Sequence, residues 1–200
     1  MGLISSSKPQ QTAYEIHEYL CSLKNHYWDE FETIIDPTAD VHPSAIIPKK
    51  NVTIGSHTKI EPGCIIMERT LIGNDCNIGP AVVIGGDAFE IAQFNGTPRV
   101  LKQGGGVKIG NNVTIQACSH IARATFTGFT QIDDNSAIDA QVHIAHDCNI
   151  KRNVKITACS EVSGRVTIED GAYLGPNCTI SNGLRTVSYT HLTLPTTPYV

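Results

Sequence analysis

The sequence places a large aliphatic residue at every sixth position, and this period restricts the fold more than any other feature. Three runs carry it, from Ile54 to Ile84, from Ile109 to Ile121 and from Ile132 to Ile180. An α-helix repeats every 3.6 residues and cannot stay in phase with six. A period of six fits a short strand followed by a tight bend, repeated around a coil. The sequence therefore predicts an all-β solenoid.

The fourth residue after each aliphatic is small or β-branched, as a position beside a close-packed bend requires. Gly, Asn and Asp follow the aliphatics, for example at 73–75, and we expect them to tolerate the φ values of the corners. Four of the seven cysteines occupy the small position and no CxxC motif occurs, which favours structural thiols over metal ligands. These four are Cys64, Cys76, Cys148 and Cys178.

Two interruptions divide the repeats. The pattern stops over residues 87–106, and the spacing from Ile121 to Ile132 is eleven instead of six. Insertions in solenoids form loops that often lie on the binding face, and we expect a functional loop at residues 87–106 instead of one without a role. Residues 12–34 carry an apolar stripe with helical spacing, so residues 1–40 are predicted to form a helical cap on the open first coil. The β-helix is predicted over residues 41–186.

Residues 187–200 differ from the rest of the chain. They show no hexapeptide phase, and they correspond to a transposase sequencing adapter read as coding sequence. We therefore interpret this segment as a non-native tail and exclude it from the fold prediction.

Charge and hydropathy bear on partners and location. The formal net charge is −4 and no Lys/Arg cluster occurs, which argues against nucleic acid or an anionic membrane as partner. No apolar run reaches the length of a membrane span, and the first residues lack a signal-peptide pattern. A cytoplasmic location is the resulting expectation, and reduced cysteines fit it.

One stretch resembles a known enzyme family closely. Residues 138–147 read IDAQVHIAHD, similar to the DNxxQIAHN stretch of the UDP-3-O-acylglucosamine N-acyltransferases of lipid A biosynthesis. The resemblance extends over about residues 41–182 and implies a left-handed parallel β-helix with three faces and a homotrimer with sites between subunits. It places the general base on His146 and the backbone oxyanion donor on Gly164. It also puts Asp139 and Gln141 near the acceptor pocket, and we expect His143 to line that pocket.

The resemblance also implies the reaction. An acyl group would pass from an acyl-carrier protein or coenzyme A thioester to the amine of an amino sugar, in lipid A or surface-polysaccharide synthesis, without a bound cofactor or metal. The residues fit this chemistry, because a neutral imidazole can take the amine proton and a backbone N–H can stabilise the oxyanion. His146 and Gly164 are 18 residues apart, or one coil, so they should stack about 4.8 Å apart.

Some features depart from that family. About 40 residues precede the repeats, too few for the family's uridine-binding domain, so the need for a UDP group is open. The place of a further family histidine reads Ser-Asn-Gly-Leu at 181–184, and Ala-Arg-Ala at 122–124 replaces Asp-Arg-Gly.

Two other functions stay open at this point. His120 and His143 share a repeat position with His146 nearby, and three imidazoles could hold a zinc ion, as in hexapeptide-repeat carbonic anhydrases. A solenoid can also serve as a scaffold without catalysis.

Overall fold

Short parallel strands wind into a left-handed β-helix in the computed structural model, which describes residues 5–23, 26–186 and 191–192. One helix, α1, spans Pro9–Ser22. The strands are β1 Ile34–Ile35, β2 Asp40–Val41, β3 Val52–Ile54, β4 Lys59–Ile60, β5 Ile65–Ile66, β6 Thr70–Ile72, β7 Asn77–Ile78, β8 Val83–Gly86, β9 Ile91–Phe94, β10 Thr97–Val100, β11 Gly106–Ile109, β12 Thr114–Ile115, β13 His120–Ala122, β14 Phe129–Ile132, β15 Ala137–Ile138, β16 His143–Ile144, β17 Asn149–Ile150, β18 Lys155–Ile156, β19 Glu161–Val162, β20 Thr167–Ile168, β21 Tyr173–Leu174, β22 Thr179–Ile180 and β23 His191–Leu192.

Three parallel sheets form the faces of the coil. The first sheet has the order β1-β3-β6-β11-β14-β17-β20, the second β2-β4-β7-β12-β15-β18-β21-β23, and the third β5-β8-β13-β16-β19-β22. The repeated aliphatics stack in register, as Ile115 does between Ile78 and Ile138. Their side chains and the small residues beside the bends fill one continuous, fully buried core. The solenoid predicted from the period of six is confirmed.

The corners confirm only part of the expectation, since Asp75 has a left-handed φ and Gly73 does not. The third residue after the aliphatic has a left-handed φ at sixteen corners, at His57, Gly63, Arg69, Asp75, Ala81, Asn112, Cys118, Asn135, Gln141, Asp147, Asn153, Cys159, Arg165, Gly171, Asn177 and Gly183. The glycines directly after the aliphatic serve another purpose. A Cβ on Gly73 would lie 2.5 Å from the carbonyl oxygen of Gly110 in the next coil. These glycines therefore allow the coils to stack closely.

The four cysteines at the small position are buried, as predicted. Burial raises the pKa of the Cys148 thiol to about 12, and its Sγ contacts the carbonyl oxygen of Ser163 at 3.1 Å. Burial also raises the pKa of Cys64, Cys76 and Cys178. Thiols in this state are poor nucleophiles, so a structural role fits them.

This arrangement predicts which cysteines react. Under native conditions iodoacetamide should label Cys118 and Cys159, which are exposed, and leave the four buried thiols unmodified until the protein is unfolded. Peptide mass spectrometry with and without denaturant measures this. Native labelling of Cys148 as fast as of Cys118 would contradict the core packing.

The N-terminal helix differs in extent and position from the prediction. It covers Pro9–Ser22 instead of residues 12–34, and Tyr27 and Phe31 lie beyond its end. It packs on the insertion and not on the open first coil, since Tyr14 contacts Phe94 and His17 bonds the carbonyl oxygen of Lys102. No helix in the described part of the chain is long and apolar enough to cross a membrane.

Both interruptions of the repeat leave the coil at one corner, between the third and first sheets. The longer insertion, predicted over 87–106, is not structureless, because β9 and β10 form an antiparallel hairpin within it. The shorter one follows β13 and returns at β14. As the site described below occupies this same corner, the insertions can contribute residues to it.

Most of the predicted tail, 187–190 and 193–200, lies outside the described residues. Its two described residues form β23, which pairs in parallel with β21, 18 residues earlier. The expected lack of repeat phase therefore does not hold at His191–Leu192. The adapter origin of the segment stays a prediction.

Candidate active site

Three stacked residues line the corner where the insertions leave the coil. His146, Gly164 and Asn182 are each the second residue after a core aliphatic, and 18 residues separate one from the next. A Cβ on Gly164 would lie 2.5 Å from His146 Nε2 and 2.6 Å from its Cε1. The imidazole therefore lies directly over the glycine, and the structure brings together the two residues that the sequence analysis paired.

Two oxygen-bearing side chains hold the His146 ring. Its Nδ1 lies 2.8 Å from Asp147 Oδ2 and 3.0 Å from Thr125 Oγ1, and the residue is 5 % exposed. A carboxylate can only accept, so Nδ1 carries the hydrogen in this arrangement. In a neutral ring held this way, Nε2 is the proton acceptor once the Glu90 carboxylate, which contacts it in this structure, moves away.

Asp147 is a functional candidate that the sequence analysis missed. Burial opposes its ionisation, but hydrogen bonds from the His146 ring and from Thr125 outweigh this and hold the pKa of Asp147 below its usual value. The carboxylate therefore stays ionised near neutral pH and fixes the imidazole tautomer. The sequence contains one sign of this role, because Asp147 stands where the motif of the family that the chain resembles ends in Asn.

A second missed residue, Glu90, comes from the longer insertion. Its Oε2 lies 2.9 Å from His146 Nε2, and its Oε1 accepts a hydrogen bond from Arg165 at 2.9 Å. The insertion lacks the repeat phase, so no sequence spacing could relate Glu90 to His146. The predicted functional role of residues 87–106 gains support from this contact.

The backbone N–H of Gly164 is available to a ligand. Among the described residues it has no hydrogen-bond acceptor. By contrast, the Ser163 N–H donates to the carbonyl oxygen of Ile180, and the Arg165 N–H donates to that of His146. An unpaired N–H next to a buried imidazole suits the oxyanion donor expected at Gly164.

The other predicted site residues lie elsewhere in this chain. Asp139 and Gln141 occupy the opposite corner of the third sheet, where Asp139 accepts hydrogen bonds from the Ala140 and Ala158 N–H groups. Gln141 has a left-handed φ of 56° and accepts from the Cys159 thiol. His143 lies on the face between the two corners. Their role in acceptor binding stays a prediction.

His143 has an unexpected partner on that face. Its ring stacks on that of His120 with centroids 5.0 Å apart, and the two Nδ1 atoms are 3.1 Å apart. Burial, and secondarily the neighbouring His143, lower the pKa of His120 below its ordinary value. Within residues 5–23, 26–186 and 191–192, no group of three or more His, Cys, Asp or Glu side chains is arranged to hold one metal ion.

The stacked pair predicts a pH effect on stability. Below about pH 6.5 the unfolded chain takes up a proton that folded His120 resists, so the free energy of unfolding falls as the pH falls. The slope for one proton is at most about 1.4 kcal/mol per pH unit, and partial exposure of the ring reduces it. In His120→Asn this part of the fall in the free energy of unfolding at low pH should disappear. Urea unfolding at pH 7.5, 6.5 and 5.5 measures it. An unchanged pH dependence would contradict the prediction.

Comparisons with known proteins agree with the repeat. A family model described as bacterial transferase hexapeptide (six repeats) matches residues 51–86, and the same repeat continues through the stacked coils. Residues 51–86 therefore match the hexapeptide-repeat family. The relatives that this hexapeptide-repeat protein matches are acyltransferases, which agrees with the resemblance inferred above from residues 138–147.

Two curated relatives and one solved structure illustrate this. The acyl-[acyl-carrier-protein]–UDP-N-acetylglucosamine O-acyltransferase of Thermodesulfovibrio yellowstonii is 37% identical over 70% of this chain and 54% of its own length. The UDP-3-O-acylglucosamine N-acyltransferase of Herminiimonas arsenicoxydans is 30% identical over 72% of this chain and 39% of its own length. The crystal structure of the Francisella novicida UDP-N-acetylglucosamine acyltransferase has a TM-score of 0.60 at 28% identity, over 76% of this chain and 56% of that one.

The hexapeptide-repeat protein thus spans about half or less of the length of these curated relatives. The relatives are named for two kinds of acceptor atom, since one is an O-acyltransferase and the other an N-acyltransferase.

Proposed function

We propose that this protein is an acyltransferase that moves an acyl group from a thioester to an amino sugar, with His146 as general base. The single observation that carries the proposal is the arrangement of one buried imidazole, oriented by Asp147, over a glycine whose N–H is unpaired. This combination supplies both requirements of acyl transfer, a proton acceptor and an oxyanion donor.

The reaction then runs in two steps. The acceptor nitrogen attacks the thioester carbonyl carbon, a C–N bond forms, the carbonyl electrons move to oxygen, and His146 Nε2 takes the nitrogen's proton. The Gly164 N–H stabilises the oxyanion. When the intermediate collapses, the C–S bond breaks and the imidazolium returns its proton to the departing thiolate. No acyl-enzyme forms, so no nucleophilic side chain is required.

Glu90 favours an amine over a hydroxyl as the acceptor. A neutral amine carries two N–H groups, and in the corner one can point to His146 Nε2 while the other points to the Glu90 carboxylate, once that carboxylate moves away from the ring. A hydroxyl has one hydrogen and can satisfy only one of these two acceptors. The proximity of Glu90 Oε2 and His146 Nε2, at 2.9 Å, therefore supports N-acylation.

The donor and setting are proposed by analogy with the relatives. One relative's name specifies an acyl-carrier protein as donor, and we extend this to acyl-carrier protein or coenzyme A thioesters here. The acceptor is an amino sugar, with or without a UDP group, in lipid A or surface-polysaccharide synthesis in the cytoplasm.

We also propose a homotrimer. The core of a β-helix is thin, so packing between subunits would add buried area. The outer surface of the third sheet supports this, because Ile46 is 63 % exposed and pairs with Ile65 beside it. Light scattering on the purified protein measures the subunit number.

The test is an acylation assay on the full chain. Thioesters of acyl-carrier protein and of coenzyme A are offered with pairs of sugars that differ only by an amine or a hydroxyl, each with and without UDP, and thiol release is followed. Thiol release that requires an amino sugar supports the proposal. Release with hydroxyl sugars alone would overturn N-acylation, and no release with any pair would overturn the acyltransferase assignment.

A further inference from the structure

The Gly164 N–H is a single donor at the corner, and an oxyanion can accept more than one hydrogen bond. A tetrahedral alkoxide carries three lone pairs, and sites that stabilise it usually combine two donors. Of the backbone groups beside Gly164, the Ser163 and Arg165 N–H groups already have acceptors. A second donor must therefore come from a side chain.

Asn182 is placed to supply it. It follows Gly164 by 18 residues, so its side chain lies over the glycine from the side opposite to His146. The point where a Gly164 Cβ would be is 3.0 Å from Asn182 Nδ2 and 2.5 Å from His146 Nε2. The imidazole and the carboxamide therefore both lie close to the glycine, one from each neighbouring coil.

The state of the Asn182 side chain suits this role. Asn182 is exposed, and its Nδ2 has no hydrogen-bond acceptor among the described residues, so it is open to a ligand. A carboxamide donates two hydrogens and carries no charge at any working pH, so it can bind an oxyanion without protonating the attacking amine. Arg165, the charged donor nearby, is already bonded to Glu90.

We propose that the Asn182 carboxamide is a second oxyanion donor, acting with the Gly164 N–H in the acyl transfer proposed above. The attacking nitrogen approaches from the His146 side, and the carbonyl oxygen turns toward the Gly164 N–H and Asn182 Nδ2 as it gains charge. This inference rests on the proposed function.

The test compares Asn182→Ala and Asn182→Asp with wild type. Loss of one oxyanion donor typically lowers kcat by about 10²–10³-fold, and KM should stay within about twofold because the donor acts mainly on the transition state. Asn182→Asp keeps the shape but removes the donor and adds a negative charge, so its kcat should be at or below that of Asn182→Ala. Asp170→Asn, an exposed change at another corner of the same coil, is the matched control and should keep wild-type kcat.

A binding measurement separates this role from a structural one. A phosphonate analogue of the tetrahedral intermediate should lose affinity in Asn182→Ala by about the factor lost in kcat, while an unreactive thioether analogue of the donor keeps its affinity. A kcat within threefold of wild type, or a loss confined to KM, would overturn the inference. Absence of acyl transfer in the wild type would instead overturn the proposed function, so the two failures are distinguishable.

Discussion

His146→Ala should lower kcat for acyl transfer by about 10²–10⁴-fold, the usual contribution of a general base. The imidazole is 5 % exposed, and its Nδ1 bonds Asp147 and Thr125, so no neighbouring group can replace it. Glu90 reaches Nε2, but a carboxylate is in general a weaker base than an imidazole. The measurement is thiol release with saturating donor and acceptor.

Two further variants make this result specific. His42→Ala changes an exposed histidine in the first coils and should leave kcat unchanged. Asp147→Asn should keep the ring in place but lose the ionised acceptor at Nδ1, so we expect a smaller loss than in His146→Ala. If His146→Ala is folded, by circular dichroism and thermal melting, and retains more than a tenth of wild-type kcat, His146 is not the base.

Gly164→Ala should lower activity by about 10²-fold or more while the fold persists. The new methyl group would lie 2.5 Å from His146 Nε2 and 2.6 Å from Cε1, distances that no real contact shows. Because hydrogen bonds to Asp147 and Thr125 hold the ring, relieving the clash must displace the reacting nitrogen, and misplacement by 1 Å can cost about 10²-fold. Gly164 is not among the residues with a left-handed φ, so alanine is compatible with its backbone.

Gly171→Ala is the matched control with the opposite signature. Gly171 has a φ of 74° and no atoms near the position of a Cβ, so alanine would strain the backbone without touching a neighbour. We expect it to lower the free energy of unfolding by about 1 kcal/mol and to leave kcat unchanged. Equal effects of the two variants on activity would show that Gly164 matters for the coil and not for the reaction.

The sequence predicts the parts of this protein that repeat. Ile144 and Val162 occupy a fixed phase, so the faces, the core and the stacking of His146 over Gly164 all follow from counting. The positions of Glu90 and α1 cannot be predicted from the repeat. Glu90 lies in the insertion, and α1 packs on the insertion, so tertiary contacts decide where both of them are. The helix prediction failed at Tyr27 for this reason, because the apolar stripe continues into a non-helical segment whose Tyr27 ring lies beside Gly104 of the insertion.

In a coil with three faces, distance along the chain is equivalent to an angle around the axis. Six residues turn the chain by about 120° and eighteen return it to the same direction. A deletion of six residues between His146 and Gly164 would keep every core aliphatic in phase, yet move the glycine to another corner. The five extra residues between Ile121 and Ile132 add no rotation, because they leave and rejoin the coil at one corner. Changes in the length of these insertions therefore leave the phase of the coil intact, whereas the coil beneath the imidazole accepts changes only in whole turns.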